Sequence, residues 1–151
     1  MNTEGIRYTY LCYPRFEDTD AYGILHHSRY LIFVEEAKLA FMSDAKYFGT
    51  QIMEMEDCRF PVTEVKMRYV SAVRYHSGVP VKVQMVFRID EFARVIFQFQ
   101  IYYEGRLSAK GYAIHVLADR KGHLRTEMPP ELTERYLALK GEENDQDLCV
   151  R

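Results

Sequence analysis

The segment YPRFEDTDAYGILHHSRY, residues 13–30, crowds two aspartates, a glycine and two histidines into the space before an apolar run of helical period. Asp20 stands seven residues before His27, and Gly23 between them lets the chain fold back. That spacing can set a carboxylate beside the first turn of a helix without making it part of the helix. The first N–H groups of a helix have no intrahelical acceptor, and the helix dipole adds positive potential there. A carboxylate facing such amides can attack a carbonyl, or activate water toward it, while the amides polarise the carbonyl oxygen. The competing reading is a polar connector in which the aspartates only form turns. Asp18 fits that role as an Asx-turn former. His26 and His27 do not read as a metal pair, because adjacent side chains point apart and no third ligand has suitable spacing. No metal or cofactor is expected.

The elements around this segment follow from periodicity. Residues 6–16 are rich in Tyr and Thr and predict a strand. In SRYLIFVEEAKLAFMSDAKYFG, Tyr30, Val34, Ala37 and Phe41 recur at helical spacing, with Arg29, Glu36 and Lys38 largely opposite. Ser28 is the expected N-cap and Gly49 the expected stop. From Pro61 the period becomes two, first over Val65, Met67 and Tyr69, then over Val79 to Ile89 and over Val95 to Tyr103. Turns near Asp90, at Glu104–Gly105 and at Lys121–Gly122 separate these runs from each other and from a further strand over 107–118. A short helix is expected to start near Pro130, followed by a polar, frayed tail over 141–151. The expected architecture is α+β: a strand, one long helix, then four antiparallel strands whose apolar face the helix covers. Residues 1–140 read as one domain.

Composition narrows the function. The chain has 151 residues, 48% of them hydrophobic, with 12 Tyr and 9 Phe. That is enough for a packed core and excludes a disordered polymer. Its net charge of −2, with basic residues dispersed, argues against binding nucleic acid, which needs concentrated positive charge. Cys12, Cys58 and Cys149 form no CxxC pair, which fits a reducing cytoplasm. No secretory signal and no membrane-spanning run is expected.

The order of elements resembles the hotdog fold, an antiparallel sheet wrapped around one long central helix. The stretch RFEDTDAYGILHHSRYLIFVEEA resembles the 4-hydroxybenzoyl-CoA thioesterase family of acyl-CoA hydrolases, and is similar to the acyl-CoA thioesterases associated with the Tol-Pal system. Weaker echoes follow in YVSAVRYHSGVPVKV and AKGYAIHVLADRKGHLR, so that the likeness spans roughly residues 6–137. The resemblance implies that Asp20 is the catalytic carboxylate, acting as nucleophile or as general base. It puts His27 where a backbone N–H polarises the thioester carbonyl, with a side-chain role also open. Gly23 belongs to the same motif. Tyr22 departs from it, since many relatives carry Gly or Ala there, and is expected to narrow the acyl pocket or form its wall. Arg94 and Arg125 fall roughly where similar enzymes contact the nucleotide part of CoA, with Arg74 a weaker third. Glu35 matches an acidic position of structural or interface character, whereas Glu36 reads as a solvated face. The resemblance further implies a homodimer or homotetramer with the site between subunits. The rivals are an acyl-ACP thioesterase and a non-catalytic hotdog module that binds acyl carriers.

Overall fold

The computed structural model describes residues 4–49 and 57–149, with side chains to residue 143. In chain order the elements are β1 (Ile6–Cys12), a 3-10 turn (Phe16–Asp18), α1 (His27–Ser43), β2 (Val62–Tyr69), β3 (Val81–Ile89), β4 (Val95–Tyr103), β5 (Arg106–His115), β6 (Leu117–Ala118), β7 (Leu124–Arg125) and α2 (Pro130–Cys149). Five strands form one sheet in the order β1-β3-β4-β5-β2, and every pairing is antiparallel. The short strands β6 and β7 pair separately.

The period-two reading of the central strands holds. Val83, Met85 and Phe87 lie opposite Ile101, Phe99 and Phe97, and all six are buried. These odd positions make the concave face on which α1 packs. The helix presents Tyr30, Phe33, Val34, Ala37 and Phe41 to that face. Phe41 is fully buried, its ring within 6.1 Å of the rings of Tyr8, Tyr47, Phe48, Phe87 and Phe97. At one end α2 adds Leu132, Tyr136 and Leu139 to the same core, with Tyr136 against Phe87.

Several boundaries differ from the sequence expectation. The first strand stops at Cys12, just before Pro14, and the chain passes through the 3-10 turn. The helix begins at His27, and its N-cap is His26 rather than Ser28. The helix ends at Ser43, so Gly49 lies beyond it, in the left-handed region at φ +75°, closing a turn onto the Asp44 carbonyl. Strand β3 starts at Val81 because Pro80 has no N–H for the ladder. The run expected over 107–118 is β5 and β6, broken at Val116. The terminal helix is not short: it continues through residues 141–149, where a frayed tail was expected.

Strand β2 closes one edge of the sheet and is exposed along nearly its whole length, including Val62, Val65 and Tyr69. It can lie against β5 only because Gly111 has no side chain. A Cβ at Gly111 would stand 1.8 Å from the Lys66 carbonyl oxygen, far inside contact distance. Gly111→Ala is therefore expected to lower stability by about 3 kcal/mol in thermal or denaturant unfolding. Gly141, helical and open to solvent, is the control: Gly141→Ala is expected to raise stability by roughly 0.5–1 kcal/mol.

Candidate active site

The strand-to-helix connection is built on Asp18. Its carboxylate accepts the Arg15 N–H at 2.7 Å and lies 3.4 Å from the Arg29 guanidinium. Its carbonyl accepts the His26 N–H at 2.9 Å. Asp18 is thus a buried clamp that ties the turn to the helix start, a larger structural role than an Asx turn. Two antiparallel bridges, Thr19 with Leu25 and Ile24 with Arg74, pin the rest of the loop to itself and to the segment after β2.

Within that frame Asp20 sits at the tip. Its N–H donates to the Ile24 carbonyl at 2.9 Å, and its carbonyl accepts from Gly23 at 3.0 Å. Gly23 supports this reversal at φ +75°, a left-handed conformation that costs glycine little. One carboxylate oxygen of Asp20 accepts the Tyr22 N–H at 2.8 Å, so it is Asp20 that makes the Asx-type contact. Its other oxygen has no partner among the described residues.

The helix start leaves one donor free. His26 Nδ1 accepts the Ser28 N–H at 3.2 Å, and the His26 carbonyl accepts the Arg29 N–H at 3.0 Å. An atom that accepts a backbone N–H carries no proton of its own, so Nδ1 also accepts from the Ser28 hydroxyl, 2.8 Å away. The His27 N–H has no acceptor among the described residues, and the dipole of α1 ends on it. The Tyr69 hydroxyl donates to the His27 carbonyl at 2.8 Å, holding that peptide in place. Tyr69 also packs edge-on to the rings of His27 and Tyr30. Burial raises the phenol pKa of both tyrosines, so both stay protonated and available as donors near neutral pH.

These groups line one cleft of about 280 Å³, bounded by Asp20, Ile24, Leu25, His27, Tyr30 and the 69–72 segment. A carboxylate and an uncommitted amide thus share a concave surface, a pairing suited to attack on a carbonyl and to holding the oxyanion that forms. Among the described residues no cluster of three or more His, Cys, Asp or Glu is arranged to hold a metal ion.

The other candidates are distributed unevenly. Tyr22 is 81% exposed and does not line the cleft. Arg94 and Arg125 lie at the far end of the sheet. Arg94 borders Val95, which pairs with His115, which in turn pairs with Val62 at the start of β2. The cleft adjoins Tyr69 at the other end of β2, about 24 Å away at roughly 3.4 Å per residue. Arg94 is engaged by Asp90 at 2.7 Å. Burial pushes the Asp90 carboxyl up, but bonds from Arg94 and the Phe92 N–H outweigh that and hold it below the usual range. Arg125 donates to the Asp57 carbonyl at 3.2 Å. The basic residues adjoining the cleft are instead Arg74 and Arg106, which line a neighbouring hollow with the shared wall Ser71 and Ala72. Arg106 was not anticipated, since only the β4–β5 turn carries it there. On α1, Glu36 is exposed as expected, while Glu35 pairs with the buried Lys38.

Comparison with known proteins places the chain in a family. A model described as the thioesterase-like superfamily matches residues 14–136. A putative acyl-CoA thioesterase of Bacillus subtilis is 25% identical over 110 residues, covering 71% of this chain and 76% of that protein. The structure of a DHNA-CoA thioesterase from Staphylococcus aureus superposes with a TM-score of 0.77 at 22% identity, over 93% of this chain and 95% of that one. A thioesterase from Thermus thermophilus, solved in complex with coenzyme A and Zn, superposes with a TM-score of 0.70 at 20% identity, over 93% and 98% of the two chains. With a family match spanning the strand-to-helix turn, α1 and strands β2 to β5, the chain belongs to the thioesterase-like superfamily and is a thioester hydrolase of the hotdog fold.

Proposed function

We propose that the protein hydrolyses an acyl-CoA thioester to the free acid and CoA, with Asp20 as the catalytic carboxylate and the His27 N–H as the oxyanion donor. The observation that carries this reading is that both face one cleft at the mouth of α1. The thioester carbonyl oxygen takes the free His27 amide, so charge developing on it is stabilised by a donor already in place. Two routes then use the same atoms. As nucleophile, Asp20 attacks the carbonyl carbon, the C–S bond breaks, and CoA leaves as thiolate; water then hydrolyses the mixed anhydride and restores the carboxylate. As general base, Asp20 takes a proton from water as its oxygen attacks, and that proton passes to the departing sulfur.

CoA is preferred as the carrier because several similar proteins are named for it, the Bacillus subtilis relative as a putative acyl-CoA thioesterase and the Thermus thermophilus structure for its bound coenzyme A. The exposed edge of β2 supports a homodimer, the strand pairing with its own copy. Antiparallel pairing would bring the Arg94 and Arg125 end of one protomer toward the cleft of the other, where CoA phosphates need cations. Gly23 shapes the cleft rim, and Tyr22 would meet substrate from there. Further pairing to a tetramer and a cytoplasmic location complete the proposal. Among the described residues no helix is long and apolar enough to cross a membrane.

Asp20→Asn is expected to lower kcat by about 10²–10⁴-fold in acyl-CoA hydrolysis while the quaternary state is kept. Unchanged turnover would sink the assignment of Asp20 as the catalytic carboxylate. Matched acyl-CoA and acyl-ACP substrates separate the carriers: kcat/KM is expected to be higher for the CoA thioester, and the reverse order would move the enzyme to the ACP class.

A further inference from the structure

The hollow beside the Asp20 cleft is about 260 Å³ in volume and shares the Ser71 and Ala72 wall with it. Its lining includes two arginines that come from distant parts of the chain. Arg74 is brought in by its antiparallel bridge to Ile24, the residue whose carbonyl accepts the Asp20 N–H. Arg106 is brought in by an irregularity of the sheet. From Val95 to Ile101, odd residues of β4 face odd residues of β5 on the concave side. Between Ile101 and Tyr102 the register shifts by one, leaving Ser108 as an extra residue in β5, and Tyr103 then faces Arg106. Tyr103 is buried on the concave side, so the bulge turns Arg106 to that side as well. In an unbroken ladder, an even position of β5 would have pointed to the convex face.

Both arginines are exposed, and neither guanidinium has a hydrogen-bond or ion-pair partner among the described residues. Arg15, Arg29 and Arg94, by contrast, each lie within 3.4 Å of a carboxylate oxygen. Glu104 lines the same hollow and pairs with neither arginine. Two open cations beside a reaction cleft suit an anion. A hydrocarbon chain placed there would strip water from the guanidinium groups and return no hydrogen bond. A carboxylate would return them, since its two oxygens match the guanidinium fork. The anion belongs to the acyl side of the thioester. CoA carries its phosphates at the far end of the pantetheine arm, well beyond the width of one shared wall.

We propose that the hollow is an acyl-end subsite that selects an acyl group ending in a carboxylate, so that the substrate is a CoA thioester of a dicarboxylic acid. Arg74 and Arg106 determine specificity and take no part in the bond-breaking step. The proposal rests on the thioester reading of the Asp20 cleft, and its test separates the two.

Glutaryl-CoA and adipyl-CoA are compared with 5-methylhexanoyl-CoA and 6-methylheptanoyl-CoA, in which an isopropyl group replaces the carboxylate at the same chain length. In one or both pairs, kcat/KM is expected to be roughly tenfold or more higher for the carboxylated member. Asp20→Asn is expected to bind that member more tightly by a similar factor in calorimetry. Arg106→Gln and Arg74→Gln are each expected to bring the kcat/KM ratio toward one by lowering the value for the carboxylated thioester. Glu104→Gln, which removes the acidic group of the hollow, is expected to raise the ratio, a gain that a misfolded chain cannot give. Equal kcat/KM within both pairs overturns the proposal and leaves the thioesterase reading standing. So does an equal loss for both members in the arginine variants, which would assign the arginines to CoA. A binding preference in a protein that hydrolyses none of the four upholds the subsite and overturns the hydrolytic reading instead. Absence of both hydrolysis and preference overturns the two together.

Discussion

The burial of one face of α1 against the concave sheet fixes where everything else stands. Phe33, Val34, Ala37 and Phe41 lie on the sheet side, and Phe41 alone meets five aromatic rings from β1, β3, β4 and the segment after the helix. Removing a fully buried Phe of this kind typically costs about 3–5 kcal/mol, a large share of a domain's net stability. The helix therefore has little freedom to slide or roll, and its N-terminus has a defined place at the edge of β2. A helix start is obliged to leave N–H groups unpaired. The core determines where those donors end up, and the capping pattern determines which of them stays open.

His26 is central to that pattern. By accepting from Ser28 with its ring and from Arg29 with its carbonyl, it consumes the next two donors along the first turn and leaves the His27 amide alone. Asp18 and Tyr69 hold the two flanks of the same peptide, one through the His26 N–H and the other through the His27 carbonyl. The preorganisation is largely main-chain, which matters for chemistry, since a fixed backbone dipole needs no reorganisation as charge develops. Asp20 by contrast is only half tied, with one oxygen on the Tyr22 amide and the other open to the cleft. Rigid donor and adaptable carboxylate are the two features that attack on a bound thioester asks for.

Much of the fold was legible because the strands β3 and β4 bury their odd-numbered positions and alternate except at Val86 and Ile96, and because α1 keeps its apolar residues at helical spacing. Boundaries were less legible where a local signal competed with tertiary contacts. Ser28 is a good N-cap by type, yet the histidine two residues earlier takes that position, a capping mode that composition does not advertise. Asp18 and Asp20 are the same residue type two positions apart, and only the fold decides that the first turns inward to Arg15 and Arg29 while the second reaches the cleft. The wall over 69–72 and the neighbouring Arg106 come from β2 and β5, far away in sequence, so no local pattern could assemble them with Asp20. The separation of Arg94 and Arg125 from the cleft is likewise a matter of sheet length and strand direction.

The central claim is that the thioester carbonyl is held by the amide at the start of α1, opposite Asp20. A crystal structure with a CoA ketone analogue, in which a methylene replaces the sulfur, tests it directly. The account predicts the ketone oxygen about 2.7–3.1 Å from the His27 nitrogen, with the carbonyl carbon facing the Asp20 carboxylate directly or through one water. A ketone oxygen bound elsewhere, with the His27 amide and Asp20 both left out of contact with the acyl group, would contradict it.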